Sequence, residues 1–206
     1  WSEALSATGK VPEADGAAAL AVIDGFEADF DALSTGADSD GLPVPELIKQ
    51  LRKGQSDAVK AAIHSGSTSQ DVIDTVMVLI CRDLLTDFGA RAQACLAKLD
   101  DLNTRFGDVE MMGRTRMQAA LPVQVSDRLR IWRAPLQDHL DSLPALIESI
   151  AKIQVGGPVG LQDARMAAHV ARTLGLRDAP NWHTDRASFV NIGHWLMRLT
   201  GALGKM

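Results

Sequence analysis

The longest regular pattern of apolar positions in this sequence runs from about Ser69 to Thr104. Apolar residues recur in this segment at the spacing of an α-helix. They are Ile73, Val76, Met77, Ile80, Leu84, Phe88, Cys95, Leu99 and Leu102. Further apolar residues in the first half widen the stripe beyond one face of the helix. Such a helix is typical of a buried position in a bundle, and the pattern leaves open whether subunits share that bundle.

Shorter helical patterns precede this segment. Helices are predicted over residues 1–8, 13–23, 45–52 and 56–63. Residues 34–41 are rich in Ser, Asp and Gly, a composition that predicts a loop because these residues favour turns.

More helix is predicted after the long segment, with one short exception. Residues 109–112 are short enough to be extended instead of helical. A second long helix is predicted from Pro122, a third piece over 143–155, and helices over 162–174 and from about residue 184 to the end. Since regular strand signals are absent, the predicted fold class is all-α.

Composition and net charge are typical of a globular protein and argue against a nucleic-acid-binding one. The 206 residues suit one domain or a large piece of a bigger one, and 46% hydrophobic with 23% charged residues is ordinary for a globular protein. The net charge of -5 argues against a broad electrostatic contact with nucleic acid. A locally basic pocket for a small anion is still compatible with an acidic protein.

The cysteines favour a cytoplasmic protein, and the sequence predicts neither a membrane span nor a signal peptide. Cys81 and Cys95 lie in apolar helical segments, which is typical of small buried side chains and favours a reducing compartment. No apolar stretch reaches the length of about 18 residues that a membrane span requires. The sequence also lacks the pattern of a signal peptide, and its start at Trp1 suggests a trimmed or incomplete N-terminus.

Residues 63–75 carry the first cluster of candidate chemistry. Gly66 permits a tight bend, and Thr68 and Asp71 have the spacing of a capping box. Hydroxyl groups at residues 67–69, together with the N–H groups of a helix start, would form a cradle for a carboxylate or phosphate. His64 precedes it and can transfer a proton near neutral pH. The alternative is a well-capped helix start with an incidental histidine.

Three segments resemble the fumarase/aspartase superfamily, in the same order along the chain. Residues 66–75 (GSTSQDVIDT) resemble its first conserved region, in the form found in 3-carboxy-cis,cis-muconate cycloisomerases and adenylosuccinate lyases. Residues 112–122 (MGRTRMQAALP) resemble the second region, and residues 182–186 (WHTDR) resemble a cycloisomerase segment. A match of ten residues is far more specific than a lone glycine motif.

The second region departs from the superfamily pattern at Arg116, where many members carry a histidine. Cycloisomerases of the 3-carboxymuconate type often lack this histidine, so the departure favours them. Arginine stays protonated and binds carboxylates with a planar fork. The alternative is a turn whose arginines are solvated or paired with nearby acidic residues.

A glycine-rich loop and a helix start complete the candidate segments. Residues 156–160 (GGPVG) are similar to a superfamily segment and would let the backbone approach a ligand closely. His183 and Arg186 would reach an anion from a helix start, and the alternative is capping by Thr184 or Asp185. No residues show metal-ligand spacing, and the resemblance implies no metal or organic cofactor.

The resemblance implies an all-α, fumarase/aspartase-type long-helix bundle with a small helical N-terminal region. The expected domains are an incomplete N-terminal region, residues 1–68, and a central bundle domain, residues 69–206, without its C-terminal part. The family further implies a homotetramer whose composite active sites bind a small polycarboxylate.

The implied activity is intramolecular addition of a carboxylate across a C=C bond to form a lactone, in the protocatechuate branch of aromatic breakdown. The expected catalytic residues are His64, His183 and Arg116. The expected substrate contacts are Ser67, Thr68, Ser69, Arg114, Thr115, Gln118 and Arg186. The alternatives are an adenylosuccinate-lyase-like enzyme that releases fumarate and an oligomeric piece without turnover.

The third superfamily signature, a mobile G-S-S-x-M-P-x-K-x-N-P loop, has no counterpart in these residues. In relatives it supplies a serine treated as the catalytic base and a lysine for a substrate carboxylate. The expectation is therefore either a fragment of a longer protein or a version that cannot complete the reaction in this way.

Overall fold

The computed structural model describes residues 1–161 and 163–206. In that part of the chain, nine α-helices and one two-stranded sheet are formed, which confirms the predicted all-α class. The helices are Ser2–Ala7 (α1), Glu13–Asp24 (α2), Phe30–Asp40 (α3), Val44–Arg52 (α4), Asp57–Ala62 (α5), Ser69–Phe106 (α6), Val125–Ile150 (α7), Ala164–Leu174 (α8) and Ala187–Gly204 (α9). The strands are Glu110–Thr115 (β1) and Gln118–Gln124 (β2). The predicted helix start at Gln162 lies outside the described residues.

The chain divides into two compact units. Unit 1 comprises Trp1–Leu79 and Ala151–Arg186, and unit 2 comprises Ile80–Ile150 and Ala187–Met206. Helix α6 contributes residues 69–79 to unit 1 and its remaining residues to unit 2. The expected domain boundary between residues 68 and 69 stays a prediction.

Unit 1 has small apolar cores made by short helices. One contains Ala19, Leu51, Ala62 and Ile63, from α2, α4, α5 and the residue that follows α5. The other contains Ala4, Leu5 and Met166, from α1 and α8. Because Ile63 is anchored in the first core, the turn from α5 into α6 begins at a fixed point.

Helix α3 corrects the prediction of a loop at residues 34–41. Its start is capped by Asp29, whose side chain accepts a hydrogen bond from the N–H of Ala32 at 3.0 Å. Gly41 ends it in the left-handed conformation, with φ of 78°. The helix packs against α4 without burying any residue fully. Its Ser, Thr, Asp and Gly residues are common in turns, which is why its composition predicted a loop.

The core of unit 2 is organised by one stripe along α7. Leu129, Leu136, Leu143 and Ile150 are buried and lie seven residues apart, the repeat that keeps one face of a helix toward its neighbours. Buried residues of α6 and α9 complete this core, and they are Leu85, Leu96, Leu99, Ile192, Trp195, Leu199 and Ala202.

The predicted bounds of α7 were wrong at two points. The helix starts at Val125, not Pro122, because Pro122 lies in β2 and pairs with Met112 of β1. It also continues through Pro144 to Ile150 without the predicted break. A proline inside a helix removes one backbone hydrogen bond, and burial of the apolar stripe on both sides offsets this cost.

The β1–β2 hairpin is the main element that the sequence did not predict. Its strands pair antiparallel from Glu110 opposite Gln124 to Thr115 opposite Gln118. Arg116 and Met117 form the two-residue turn with φ of 46° and 68°. Two-residue hairpin turns with positive φ at both positions normally use Asn and Gly, so the usual turn signal was missing. The extended conformation considered for residues 109–112 is correct from residue 110 onward.

The apolar stripe predicted on the first half of α6 is only partly buried in the single chain. Val76, Met77, Ile80 and Leu84 are between 42% and 48% exposed, whereas Leu85 is buried. This exposed stripe is named the α6 apolar face below. No helix in the described part of the chain is long and apolar enough to cross a membrane.

Both cysteines are unpaired, partly buried, and packed against the core of unit 2. Burial raises the pKa of the Cys81 thiol. This environment agrees with their expected role as small apolar side chains.

His139 is a buried polar residue at a core position of α7, three residues after Leu136 and four before Leu143. Its ring makes an edge contact with Trp195, with the ring centroids 5.9 Å apart. Its Nδ1 has no hydrogen-bond partner in the described part of the chain. Burial, with a contribution from the charge of Arg198, lowers the pKa of His139 from its usual value of 6.5. The folded protein therefore favours the neutral form of this ring more than the unfolded chain does.

Replacing His139 by Phe is expected to make the free energy of unfolding fall less steeply as the pH is lowered below about 6.5. Below about pH 6.5 the unfolded state binds a proton at this position more readily than the folded state, so stability falls as the pH falls. The fall for one such group is at most about 1.4 kcal/mol per pH unit, and it stops once the folded ring is also protonated. Urea unfolding at several pH values between 5 and 8 measures how the free energy of unfolding changes with pH. His194→Phe, at an exposed position of α9, is the matched control; equal slopes for wild type and His139→Phe would contradict the prediction.

Candidate active site

The turn before α6 places His64 in an unusual backbone conformation. His64 has φ of 63° and Gly66 has φ of 75°, which turns the chain sharply from α5 into α6. The turn is held by the Trp1 indole, which donates to the carbonyl of Ser65 at 2.9 Å. Burial first, and then the charge of Arg52, lower the pKa of His64, while Asp71 opposes this shift. Near neutral pH the His64 ring is therefore mostly uncharged.

Asp71 accepts hydrogen bonds from both segments that approach the start of α6. Its buried carboxylate accepts from the N–H of Thr68 at 3.0 Å and from Ser67 Oγ at 3.3 Å. It also accepts from the N–H groups of Gly156 at 2.8 Å and Gly157 at 2.9 Å. The contact with Thr68 is one half of the predicted capping box, because the N–H of Asp71 donates to the backbone carbonyl of Thr68, at 3.1 Å, and not to its hydroxyl. The amides of the glycine-rich loop, expected to face a ligand, are thus bound by the protein's own carboxylate.

Asp74, one turn later, connects the same helix to the segment of residues 182–186. Arg186 Nη1 donates to Oδ1 of the buried Asp74 at 2.7 Å, and the guanidinium also donates to the carbonyl of His183. Oδ2 of Asp74 is buried and has no hydrogen-bond partner among the residues that the structure describes. Arg186, expected to contact substrate, is therefore bound to a carboxylate of its own chain.

His183 belongs to a polar network that the sequence did not predict. Its Nδ1 lies 2.8 Å from Oδ1 of Asn181. The buried Gln154 donates from Nε2 to the same oxygen, and its own Oε1 accepts from the N–H of Trp182 at 2.9 Å. Gln154 stands between the apolar residues Ile153 and Val155, and this isolated amide was the only signal of a buried polar role.

The second motif forms the end of the hairpin in unit 2. Arg114, Thr115, Arg116 and Gln118 lie at or beside the turn and are all exposed. Nη1 of Arg114 approaches the carbonyl of Met117 at 3.5 Å. Within the described residues, no carboxylate lies within ion-pair distance of either arginine. Two guanidinium groups at one turn are therefore available for an anionic ligand.

The chain is similar to known lyases over nearly all of its length. A family model described as Lyase matches residues 3–206. The chain belongs to the fumarase/aspartase family of lyases. A 3-carboxy-cis,cis-muconate cycloisomerase of Acinetobacter baylyi is 35% identical over 188 residues, which cover 86% of this chain and 42% of that protein. An adenylosuccinate lyase of Archaeoglobus fulgidus is 32% identical over 152 residues, covering 70% of this chain and 34% of the lyase.

The fold is also that of the family. The crystal structure of fumarate lyase from Mesorhizobium sp. BNC1 matches with a TM-score of 0.92 at 27% identity, covering 99% of this chain and 50% of the other. The expected helical-bundle fold is thereby confirmed. The lyase-family chain spans about half the length, or less, of the relatives it matches.

The structure divides the expected site residues of this lyase-family chain into two groups. His64, Ser67, Thr68, Ser69, His183 and Arg186 lie in unit 1, where Asp71 and Asp74 bind segments distant in sequence. Arg114, Thr115, Arg116 and Gln118 lie together in unit 2. No group of three or more His, Cys, Asp or Glu side chains in the described ranges is arranged to hold a metal ion.

Proposed function

We propose that the complete protein carrying this chain is a 3-carboxy-cis,cis-muconate cycloisomerase. The observation that carries the proposal is the pair of exposed arginines at the hairpin turn, Arg114 and Arg116, neither of which has a carboxylate partner among the described residues. Arg116 stands where many family members have a histidine. A substrate with three carboxylates benefits from two planar, permanently charged forks. The 35% identical cycloisomerase supports the same substrate class.

The proposed reaction is an intramolecular addition. An oxygen of one substrate carboxylate forms a C–O bond to a carbon of the diene, and the π electrons move to the neighbouring carbon. The resulting carbanion lies beside another carboxylate and is stabilised as an enolate. A proton delivered to that carbon completes the lactone. Such a reaction needs fixed cations near the developing charge and one well-placed acid.

The remaining roles are assigned to side chains of both motif groups. Arg116, with Arg114, stabilises the developing negative charge, and Thr115 and Gln118 contact substrate beside them. Thr68 and Ser69 hydroxyls contact a substrate carboxylate. Ser67 and Arg186 stay among the proposed contacts, although their present hydrogen bonds to Asp71 and Asp74 must be shared or exchanged for this. His64 and His183 are the proposed groups for proton transfer. No metal or organic cofactor takes part in the proposed steps.

The direct test is an assay of the complete protein with 3-carboxy-cis,cis-muconate. We expect loss of the ultraviolet absorbance of the diene, in proportion to enzyme, with a lactone identified as the product by mass spectrometry and NMR. Unchanged absorbance with folded, assembled protein would contradict the proposal.

The second candidate is β-elimination of fumarate, as in adenylosuccinate lyase. It is favoured by the 32% identical relative with that name. Against it stands Arg116, because the superfamily histidine expected for that reaction is missing. Release of fumarate from adenylosuccinate, without turnover of 3-carboxymuconate, would replace the first proposal by this one.

We further propose that the α6 apolar face is covered in a homotetramer of cytoplasmic protein, where regions of different subunits meet to form composite active sites. Leu84→Glu is then expected to weaken assembly by about 10- to 100-fold, since burying a leucine side chain contributes about 1.5–3 kcal/mol. Light scattering coupled to size-exclusion chromatography measures the mass over a dilution series. Thr86→Glu, exposed on the same helix, is the control. Equal masses for wild type and Leu84→Glu at all concentrations would rule out this interface, and a wild-type monomer would favour a piece without turnover.

A further inference from the structure

Asn181 is enclosed by two glycines of the glycine-rich loop. A Cβ added at Gly156 would lie 2.7 Å from Cγ and 2.8 Å from Oδ1 of Asn181. A Cβ added at Gly160 would lie 2.8 Å from Nδ2 of the same side chain. Both distances are too short for any side chain larger than hydrogen. The glycines therefore leave space for Asn181, a residue that no motif singled out.

The hydrogen bonds around Asn181 define which amide atom faces which neighbour. The N–H of Trp182 can only donate, so the Gln154 atom that it contacts is the oxygen Oε1. Gln154 Nε2 is then the donor toward both Asp71 and Asn181, and the Asn181 atom that it contacts must be the oxygen Oδ1. The N–H of His183 also points to this oxygen, at 3.4 Å.

This order of donors and acceptors extends to the His183 ring. Oδ1 of Asn181 can only accept a hydrogen bond, and it lies 2.8 Å from Nδ1 of His183. The neutral ring therefore carries its proton on Nδ1 and keeps a lone pair on Nε2. In the described part of the chain, Nε2 has no hydrogen-bond partner, so this lone pair is available to accept a proton.

We propose that Asn181 is a positioning residue that holds His183 as its Nδ1–H tautomer, with Nε2 directed to proton transfer. The glycine-rich loop then serves to enclose Asn181, and its amides anchor to Asp71 instead of binding substrate. The catalytic part of this inference rests on the proposed function, whereas the tautomer itself does not. Sequence reasoning assigned the loop to ligand binding because the partner of its glycines lies more than twenty residues away.

The tautomer is measured by long-range ¹H–¹⁵N NMR of the histidine rings in ¹⁵N-labelled protein, at a pH where the rings are neutral. The His183 signals are assigned by their loss in His183→Gln. We expect a protonated Nδ1 and an unprotonated Nε2 in the wild type. Asn181→Leu removes the acceptor and should shift the population toward Nε2–H, whereas Asn181→Asp keeps an acceptor oxygen and should retain Nδ1–H. His194, an exposed histidine of α9, is the internal reference that none of these variants should change.

Gly156→Ala tests the role of the glycines and leaves the chemical identity of Asn181 unchanged. Gly156 has φ of −135°, outside the left-handed region that favours glycine, and the atoms nearest to an added methyl belong to the Asn181 side chain. The substitution is therefore expected to act by displacing Asn181. We expect the same shift toward Nε2–H as in Asn181→Leu. A wild-type His183 with its proton on Nε2, or an Nδ1–H tautomer that persists in both Asn181→Leu and Gly156→Ala, would overturn the proposal.

Turnover separates the positioning role from the proposed activity. With the complete protein, Asn181→Leu is expected to lower kcat for 3-carboxymuconate by about 100-fold with little change in KM, a typical cost of a misplaced catalytic group. Asn181→Asp should restore most of kcat. A shifted tautomer with unchanged kcat would overturn the catalytic part. If the wild type does not turn over this substrate at all, the proposed function fails, and the NMR result still decides the tautomer.

Discussion

Arg116→Ala should lower turnover of 3-carboxymuconate by about 10²- to 10³-fold, the usual cost of losing one group that stabilises developing negative charge. Arg116 is exposed at the hairpin turn and has no ion-pair partner in the described part of the chain. Its removal therefore breaks no internal salt bridge, and the loss should appear in kcat/KM without a change in folding. Steady-state kinetics by loss of diene absorbance, with circular dichroism as a check of folding, measure both quantities.

Two variants of the same turn make this experiment specific. Met117→Ala removes a side chain that is 89% exposed, at the adjacent position with the same left-handed backbone, and should leave kcat/KM nearly unchanged. Arg116→Lys keeps the charge but loses the planar fork, so an intermediate loss of about tenfold is expected. Unchanged turnover and substrate affinity in Arg116→Ala would show that the charge of this turn takes no part in the reaction.

Local signals in the sequence predicted the features that depend on nearby residues. The capping box of Thr68 and Asp71 and the helical stripe after Ser69 each involve neighbours within one or two turns of helix. For this reason the start of α6 was predicted at the correct residue. The family resemblance rested on this segment together with residues 112–122 and 182–186, and it led to the correct fold.

Long-range contacts explain what the sequence did not predict. The carboxylate of Asp71 binds the amides of Gly156 and Gly157, and Asn181 is enclosed by glycines more than twenty residues before it. Neither pairing leaves a periodic trace in the sequence. Asp71 was therefore interpreted only as a helix cap, and the glycines only as a place where the backbone approaches a ligand.

The hairpin illustrates a different limit of sequence reasoning. Its turn residues, Arg116 and Met117, adopt left-handed conformations that side chains rarely take, so propensity argued against a tight turn there. Such strained positions tend to occur at functional sites, where the surrounding structure holds them for a chemical purpose. Charge stabilisation by Arg116 would be such a purpose, because the turn presents the Arg116 guanidinium at the end of the hairpin.

Asp71→Ala should lower the free energy of unfolding by about 3 kcal/mol or more, because it leaves several hydrogen-bond donors without an acceptor. The carboxylate accepts from the N–H groups of Thr68, Gly156 and Gly157, and the two glycine contacts are fully buried. Each buried donor left without an acceptor costs about 1–3 kcal/mol. Urea unfolding, followed by circular dichroism and by tryptophan fluorescence, measures this change.

Asp101→Ala is the matched control for this effect. Asp101 also lies on α6 and binds one arginine, Arg105, but both side chains are more than half exposed. Exposed pairs of this kind contribute about 0.2–1 kcal/mol, so the control should stay close to the wild type. The free energy of unfolding of Asp71→Asn should lie between those of Asp71→Ala and Asp101→Ala. One acceptor oxygen remains in this variant, while the new NH₂ group faces N–H donors. If Asp71→Ala cost no more than Asp101→Ala, the glycine-rich loop would be held by other contacts and Asp71 would be only a helix cap.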